Sequence, residues 1–154
     1  MENETEVIAA IQTQIANAFL LYANYKKYHW QSYGPLFRDL HLLFDEHATA
    51  VLETIDELGE CVRILGGVPL ADPRQFAERG SVEIAPEGQT MLEMLEQAVA
   101  NHRRVIDELK AGIEVAGSAN DPGTADLLTR IVQVHEKQEW FIRESLKQRD
   151  GLVR

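Results

Sequence analysis

Four segments of this chain repeat apolar residues every three or four positions, and each is closed by glycine or proline. That punctuation leaves little besides an antiparallel helical bundle. Val7, Ile8, Ile11, Ile15, Phe19, Leu20 and Tyr22 predict a first helix from about Thr5 to Tyr33. Gly34-Pro35 ends it, because proline lacks an amide hydrogen and holds its predecessor extended. A second helix restarts near Leu36 and carries Leu40, Leu43, Phe44, Val51, Leu52, Ile55, Leu58, Val62 and Leu65 to the Gly66-Gly67 stop. Met91, Leu95, Ala98, His102, Val105, Leu109 and Ile113 mark a third, and Leu127, Leu128, Ile131, Val132, Trp140, Phe141 and Leu146 a fourth. Between these two, Gly117 to Gly123 reads as a turn. Residues 66–88 hold Pro69, Pro73, Gly80, Pro86 and Gly88 and read as a connector with one short helix over Pro73–Glu78. No segment alternates with period two, so the expected fold is all-α: a four-helix bundle with one long central crossover.

With 154 residues, 45% of them apolar, the chain is expected to form one domain over residues 1–154 with a real core. The balance of 15 Lys+Arg against 25 Asp+Glu gives a net charge of −10. No apolar run approaches the roughly 18 residues that a membrane span needs. Glu2, Glu4 and Glu6 precede every cation, the reverse of a targeting leader, so a cytoplasmic location is expected. Cys61 is the only cysteine; it can form no internal disulfide and is expected to pack as a small buried hydrophobe. There is no Gly-rich phosphate loop, no G-x-S-x-G and no H-E-x-x-H. No glutamate stands three residues before any of the five histidines, so the Glu-x-x-His pairs of an intrachain di-iron bundle are missing.

What remains is a polar stripe on the second helix. At about 100° per residue, Asp45, Asp56 and Glu60 lie about 40°, 60° and 100° around the helix from His41. Yet His41 and Asp56 are about 22 Å apart along the axis, too far to share an ion. The spacing is palindromic: the midpoint of 41 and 60 coincides with that of 45 and 56, between Ala50 and Val51. Two copies of this helix packed antiparallel across a two-fold axis would set His41 opposite the partner's glutamate and Asp45 opposite the partner's aspartate, making two equivalent sites. Ala48, Thr49 and Ala50 near that axis would allow close approach, and His29, beside the Gly34-Pro35 reversal, can reach back toward His41. Two imidazoles with two or three carboxylates suit Fe(II), with Zn(II), Mn(II) or Co(II) able to compete. The alternative is a solvated helix face, with His29 simply favoured near a helix C-terminus.

The stretch Tyr28-His29-Trp30-Gln31-Ser32-Tyr33-Gly34-Pro35-Leu36-Phe37, followed by Leu40-His41, Leu43-Phe44-Asp45-Glu46 and Ile55-Asp56-Glu57-Leu58 with Glu60, closely resembles the signature of the Dps family, the mini-ferritins named as DNA-binding proteins from starved cells. Thr124-Ala125-Asp126-Leu127-Leu128 and Lys137-Gln138 with Trp140 extend the likeness over the whole chain. The resemblance implies a ferritin-like bundle, a homo-dodecameric shell built from two-fold dimers, and ferroxidase centres between subunits. His29, His41 and Asp45 would come from one subunit, and Asp56 and Glu60 from the other. It further implies oxidation of Fe(II), preferentially by hydrogen peroxide, storage of ferric mineral, and protection from oxidative stress; whether oxygen also serves as oxidant is left open by the sequence. Trp30 would be an electron donor beside the site, although core packing is the ordinary role for Trp30 and for Trp140. Asp45, Glu46, Glu53 and Glu57 are candidates for mineral nucleation. Asp121 and Asp126 resemble the acidic lining of three-fold pores, against an ordinary role at the start of a helix. His47, His102 and His135 have no place in the pattern and read as packing residues, with a secondary Zn(II) site as the alternative.

Two competing functions leave different traces. A DNA-compacting member, associated with the nucleoid, would carry a basic tail to neutralise phosphates. Here the first cation is Lys26, and Lys147–Arg154 is only mildly basic, so direct DNA binding is not expected. In the other, the histidine-carboxylate set would be no more than a clamp between subunits.

Overall fold

The computed structural model describes residues 2–147. Five α-helices and no strand occur among them: α1 (Glu2–Gln31), α2 (Phe37–Ile64), the single turn α3 (Phe76–Arg79), α4 (Met91–Ser118) and α5 (Pro122–Ser145). None is long and apolar enough to cross a membrane. The four long helices form the bundle. Val7, Ile11, Ile15, Ala18, Leu21, Tyr25 and Tyr28 of α1 are all buried, in the three-and-four rhythm of one helix face, and meet Phe44, Val51 and Leu58 of α2, Met94, Val105 and Leu109 of α4 and Leu128 and Ile142 of α5 in a continuous core.

Helix ends follow local chemistry. Gly34 takes φ +90 in the bend between α1 and α2, a conformation costly to any residue with a Cβ, so α1 stops at Gln31 rather than Tyr33. Thr90 caps α4 by accepting from the Glu93 amide, and Asp121 caps α5 ahead of Pro122. The expected turn from Gly117 to Gly123 is shorter in fact: α4 runs on through Gly117 and Ser118, and only Ala119–Asp121 joins the helices. Asn120 at φ 55 supplies the left-handed residue that ends α4, a conformation asparagine tolerates. The short helix expected over Pro73–Glu78 is a 3-10 turn, Pro73–Gln75, leading into α3.

Cross-helix contacts set the direction of each rod. His29 meets His41 and Lys26 meets Asp45, so α1 and α2 are antiparallel. Gln14 reaches Glu108 while Tyr28 reaches Gln97, so α4 is antiparallel to α1. His102 meets His135, and Arg103 meets Glu139, in the α4/α5 pair. Since α2 and α4 point the same way, the connector must travel the length of the bundle. Three amides of α1 pin it there. Gln12 binds the Val68 carbonyl and the Leu70 amide, Asn17 accepts from the Ser81 and Val82 amides, and Asn24 binds the Glu83 carbonyl and the Ala85 amide. Buried connector amides that would otherwise lack partners are satisfied this way. Phe76 stacks on Phe19 with ring centroids 4.2 Å apart, and at Gly80 a Cβ would meet Leu20 at 2.6 Å.

Candidate metal centre

The short α1/α2 bend brings the last turn of α1 beside the first turns of α2. His29 and His41 stack there, ring centroids 3.8 Å apart and planes 12° from parallel. Each bonds the other's backbone: His29 Nδ1 donates to the His41 carbonyl at 2.6 Å, and His41 Nδ1 donates to the His29 carbonyl at 2.7 Å. A carbonyl oxygen only accepts, so both hydrogens sit on Nδ1. With Nδ1 engaged, Nε2 is the ring nitrogen left to face a ligand, and outer hydrogen bonds of this kind orient metal-binding histidines. Phe37 also stacks on His41, centroids 4.9 Å apart.

Asp45 lies one turn beyond His41 on α2, half-buried, and Lys26 Nζ donates to its Oδ1 at 2.6 Å. The Lys26 ammonium holds the Asp45 carboxyl below the usual carboxylate range, helped by His29 and His41 and opposed by partial burial. The sequence assigns Lys26 no part in the ligand set. Its one usable signal is its place one turn before His29 on α1. Asp56 and Glu60 are exposed farther along α2. Glu60 edges two clefts, one shared with Asp56 and Arg63, the other with Glu57, Cys61 and Arg130. Among the described residues, no three His, Cys, Asp or Glu side chains converge closely enough to hold a metal ion. Within one chain, His29 and His41 are brought together with Asp45 one helical turn beyond His41, and Asp56 and Glu60 are not brought to them.

Other expected site residues fall out variously. Trp30 is 71% exposed and Trp140 49%, so neither packs in the core of this chain. The reason for Trp30 is helical: Tyr25 and Tyr28 point inward, and a residue two positions past Tyr28 is turned about 200° away. Lys26 Nζ lies 5.8 Å from its ring. Ala48 also departs from its expected place: it is buried in the core, and the exposed residues between Asp45 and Asp56 on the stripe are Thr49 and Leu52. Glu46, Glu53 and Glu57 are exposed, Glu57 pairing with Arg130 at 3.2 Å. Asp121 caps α5 with one oxygen and accepts from the Thr124 hydroxyl with the other, while Asp126 is exposed and pairs with Arg130 at 3.6 Å. Cys61 is buried, its sulfur 3.3 Å from the Thr124 hydroxyl. His47, His102 and His135 are all buried.

Residues 8–151 match the ferritin-like domain family. The fold superposes on Dps from Thermosynechococcus elongatus with a TM-score of 0.96 and 46% identity, over 99% of this chain and 98% of that one. DNA protection during starvation protein 2 of Bacillus anthracis is 34% identical over 93% of this chain and 98% of its own length. A Dps structure from Listeria innocua soaked with zinc aligns at 29% identity and a TM-score of 0.86, over 91% of this chain and 95% of that one. The bundle and the matched span make this a ferritin-like protein, and the chain belongs to the Dps family within that class.

Proposed function

We propose that this protein binds Fe(II) between two-fold-related copies of itself, oxidises it preferentially with hydrogen peroxide, and stores the ferric product as mineral inside a twelve-subunit cytoplasmic shell. The observation that carries this reading is the reciprocal His29/His41 pair. Two half-buried imidazoles are held with Nδ1 bonded to backbone and Nε2 left over, beside an ionised Asp45, a set of donors prepared for a cation but too few to enclose one. The palindrome on α2 supplies the remainder: Asp56 and Glu60 of a second copy, packed antiparallel, complete the ligand set. Iron is substrate here, and Zn(II) or another divalent ion suits the same mixed nitrogen and oxygen donors. Peroxide takes one electron from each of two Fe(II) ions, so no hydroxyl radical is released. Trp30 stands beside the centre as an electron donor. Exposed Glu46, Glu53 and Glu57, with Asp45, are offered for mineral nucleation, and Asp126 with Asp121 for the entry pore.

A shared site has a signature no self-contained site can produce. Shells of His41→Ala chains alone, or of Glu60→Ala chains alone, carry a defect in every centre. In a mixed dimer one centre holds both defects and the other is intact. Random co-assembly is therefore expected to restore about a quarter of the wild-type oxidation, a fraction set by the two-fold arrangement. Recovery absent from co-expressed variants, with particle mass unchanged, would place each site within one chain.

Lys26 occupies space that a second cation would need. Lys26→Met is expected to tighten Fe(II) binding by about 3- to 10-fold, since a partly exposed ion pair is only a weak competitor, and titration calorimetry under anaerobic conditions reads it. The name of the Bacillus anthracis relative refers to DNA protection. In this chain Glu4 and Glu6 are exposed at the start of α1, and the mildly basic segment Lys147–Arg154 lies, beyond Lys147, outside the described residues. Protection by removing Fe(II) and peroxide, without coating DNA, is the reading that fits this charge.

A further inference from the structure

The cleft between the last turns of α2 and the first turns of α5 holds a cation where the proposed iron chemistry uses only carboxylates. Glu57 and Glu60 line it from α2, Asp121 stands where α5 begins, and Cys61 and Leu127 lie between them. Among the described residues that line this cleft, Arg130 is the one cation. Its guanidinium spans the two helices. Arg130 Nη1 lies 3.2 Å from Glu57 Oε2 on α2, and Arg130 Nε lies 3.6 Å from Oδ2 of Asp126, one turn back on α5.

Three carboxylates of this neighbourhood have the successive roles proposed above: Asp126 in entry, Glu57 in mineral nucleation and Glu60 in the oxidation centre. Arg130 bridges the first to the second, and the third lies one helical turn farther along α2, about 4.5 Å up the axis. Fe(II) moving from Asp126 toward Glu60 therefore meets the guanidinium on its way. An arginine fork suits that place, because it can hold carboxylates of two helices at once, whereas an ammonium is a compact point charge. The hold is also weak. The Arg130 and Glu57 side chains are 54% and 52% exposed and Asp126 more so, and water-screened pairs of this kind give way to a competing divalent ion.

We propose that Arg130 is a charge gate on the iron path: at low Fe(II) it neutralises Asp126 and Glu57 and repels the ion from the cleft, and it swings aside once Fe(II) takes those carboxylates. The inference rests on the ferroxidase reading above. It adds a residue outside the ligand set that decides how much Fe(II) is needed to fill the centres, and has no part in how fast a filled centre reacts. In water-like surroundings a unit charge about 6 Å from a divalent ion changes the local concentration of that ion by about 10-fold. Salt weakens the effect, over a Debye length of about 10 Å at 0.1 M. The consequence for the protein is a threshold: traces of Fe(II) stay outside, and a rise in Fe(II) opens its own route.

The test is stopped-flow oxidation of Fe(II) by hydrogen peroxide in the assembled full-length protein, over a range of Fe(II) concentrations at low and high salt. Arg130→Gln removes the charge. It should lower the half-saturating Fe(II) concentration by about 3- to 10-fold and leave the saturated rate and the particle mass as in wild type. Its rate at low Fe(II) should also fall more steeply with salt, because the path has become more negative. Arg130→Lys keeps the charge and should follow wild type in both respects. Under anaerobic conditions, Fe(II) added to Arg130→Gln should become inaccessible to a bulky external chelator severalfold faster than in wild type. Loss of a merely structural ion pair would lower Tm and move none of these readouts. Half-saturation and salt slope unchanged in Arg130→Gln, or an Arg130→Lys protein that behaves like Arg130→Gln, would overturn the gate and leave the ferroxidase reading standing. Wild-type protein that fails to oxidise two Fe(II) per peroxide would sink both.

Discussion

Replacing His41 with alanine is expected to lower the rate of peroxide-driven Fe(II) oxidation by about 100-fold or more, because one substitution removes a ligand and loosens its neighbour. In the proposed centre the His41 ring supplies one Nε2 donor, and its Nδ1 hydrogen bond to the His29 carbonyl fixes the local backbone against which the second ring stacks. The fold should tolerate the change. His41 is half-buried on an α2 face outside the core, and alanine is the better helix former. Stopped-flow absorbance at two Fe(II) per centre measures the rate, and particle mass reports assembly. His29→Ala should behave alike. An unchanged rate with weakened assembly would identify the pair as a subunit clamp and remove the ferroxidase reading.

Acid is expected to weaken the bundle from within, over a window defined by its buried histidines. In the unfolded chain His135 titrates near its ordinary value of 6.5; in the folded chain burial holds it down to about 4. Between these values the unfolded state binds a proton that the folded state does not, so stability present above about pH 6.5 is lost as pH falls toward 4. For His135 alone the loss reaches about 3 kcal/mol at the bottom of that window. His102 shifts in the same direction for the same reason, with His135 and His47 opposing its charge as well. The groups around them offer no compensating carboxylate: Tyr25 and His47 face His102, and Glu139, one turn past His135, is already paired with Arg103 and Arg143. The measurement is Tm against pH for wild type and His135→Gln. The wild-type curve should fall more steeply between pH 6.5 and 4.5, and parallel curves would show that His135 is not the titrating group.

Much of this architecture is legible in residue order. The Gly34-Pro35 and Gly66-Gly67 breaks, the proline-rich connector and the rhythm of Val7, Ile11 and Ile15 locate the helices, because backbone chemistry and a period of 3.6 act within a few residues. The stripe of His41, Asp45, Asp56 and Glu60 is legible for the same reason, as is its two-fold symmetry. Other features were misread or unseen. Trp30 was expected inside and lies outside, since its helix already fills the core from Tyr25 and Tyr28. The role of Ala48 turned on a few tens of degrees of helix rotation, which no local pattern specifies.

Sequence by itself determined which faces of which helices are apolar, where the chain must turn, and which histidine and carboxylate residues share a side of α2. Only the tertiary structure decided that His29 and His41 lock each other's tautomer, that Lys26 sits on Asp45, and that Tyr25, His47, His102 and His135 meet in the interior. Periodicity orients a side chain about its own helix axis. Which side chains of different helices meet depends on the register and rotation of each rod against the others, and the packing of the whole core sets these together.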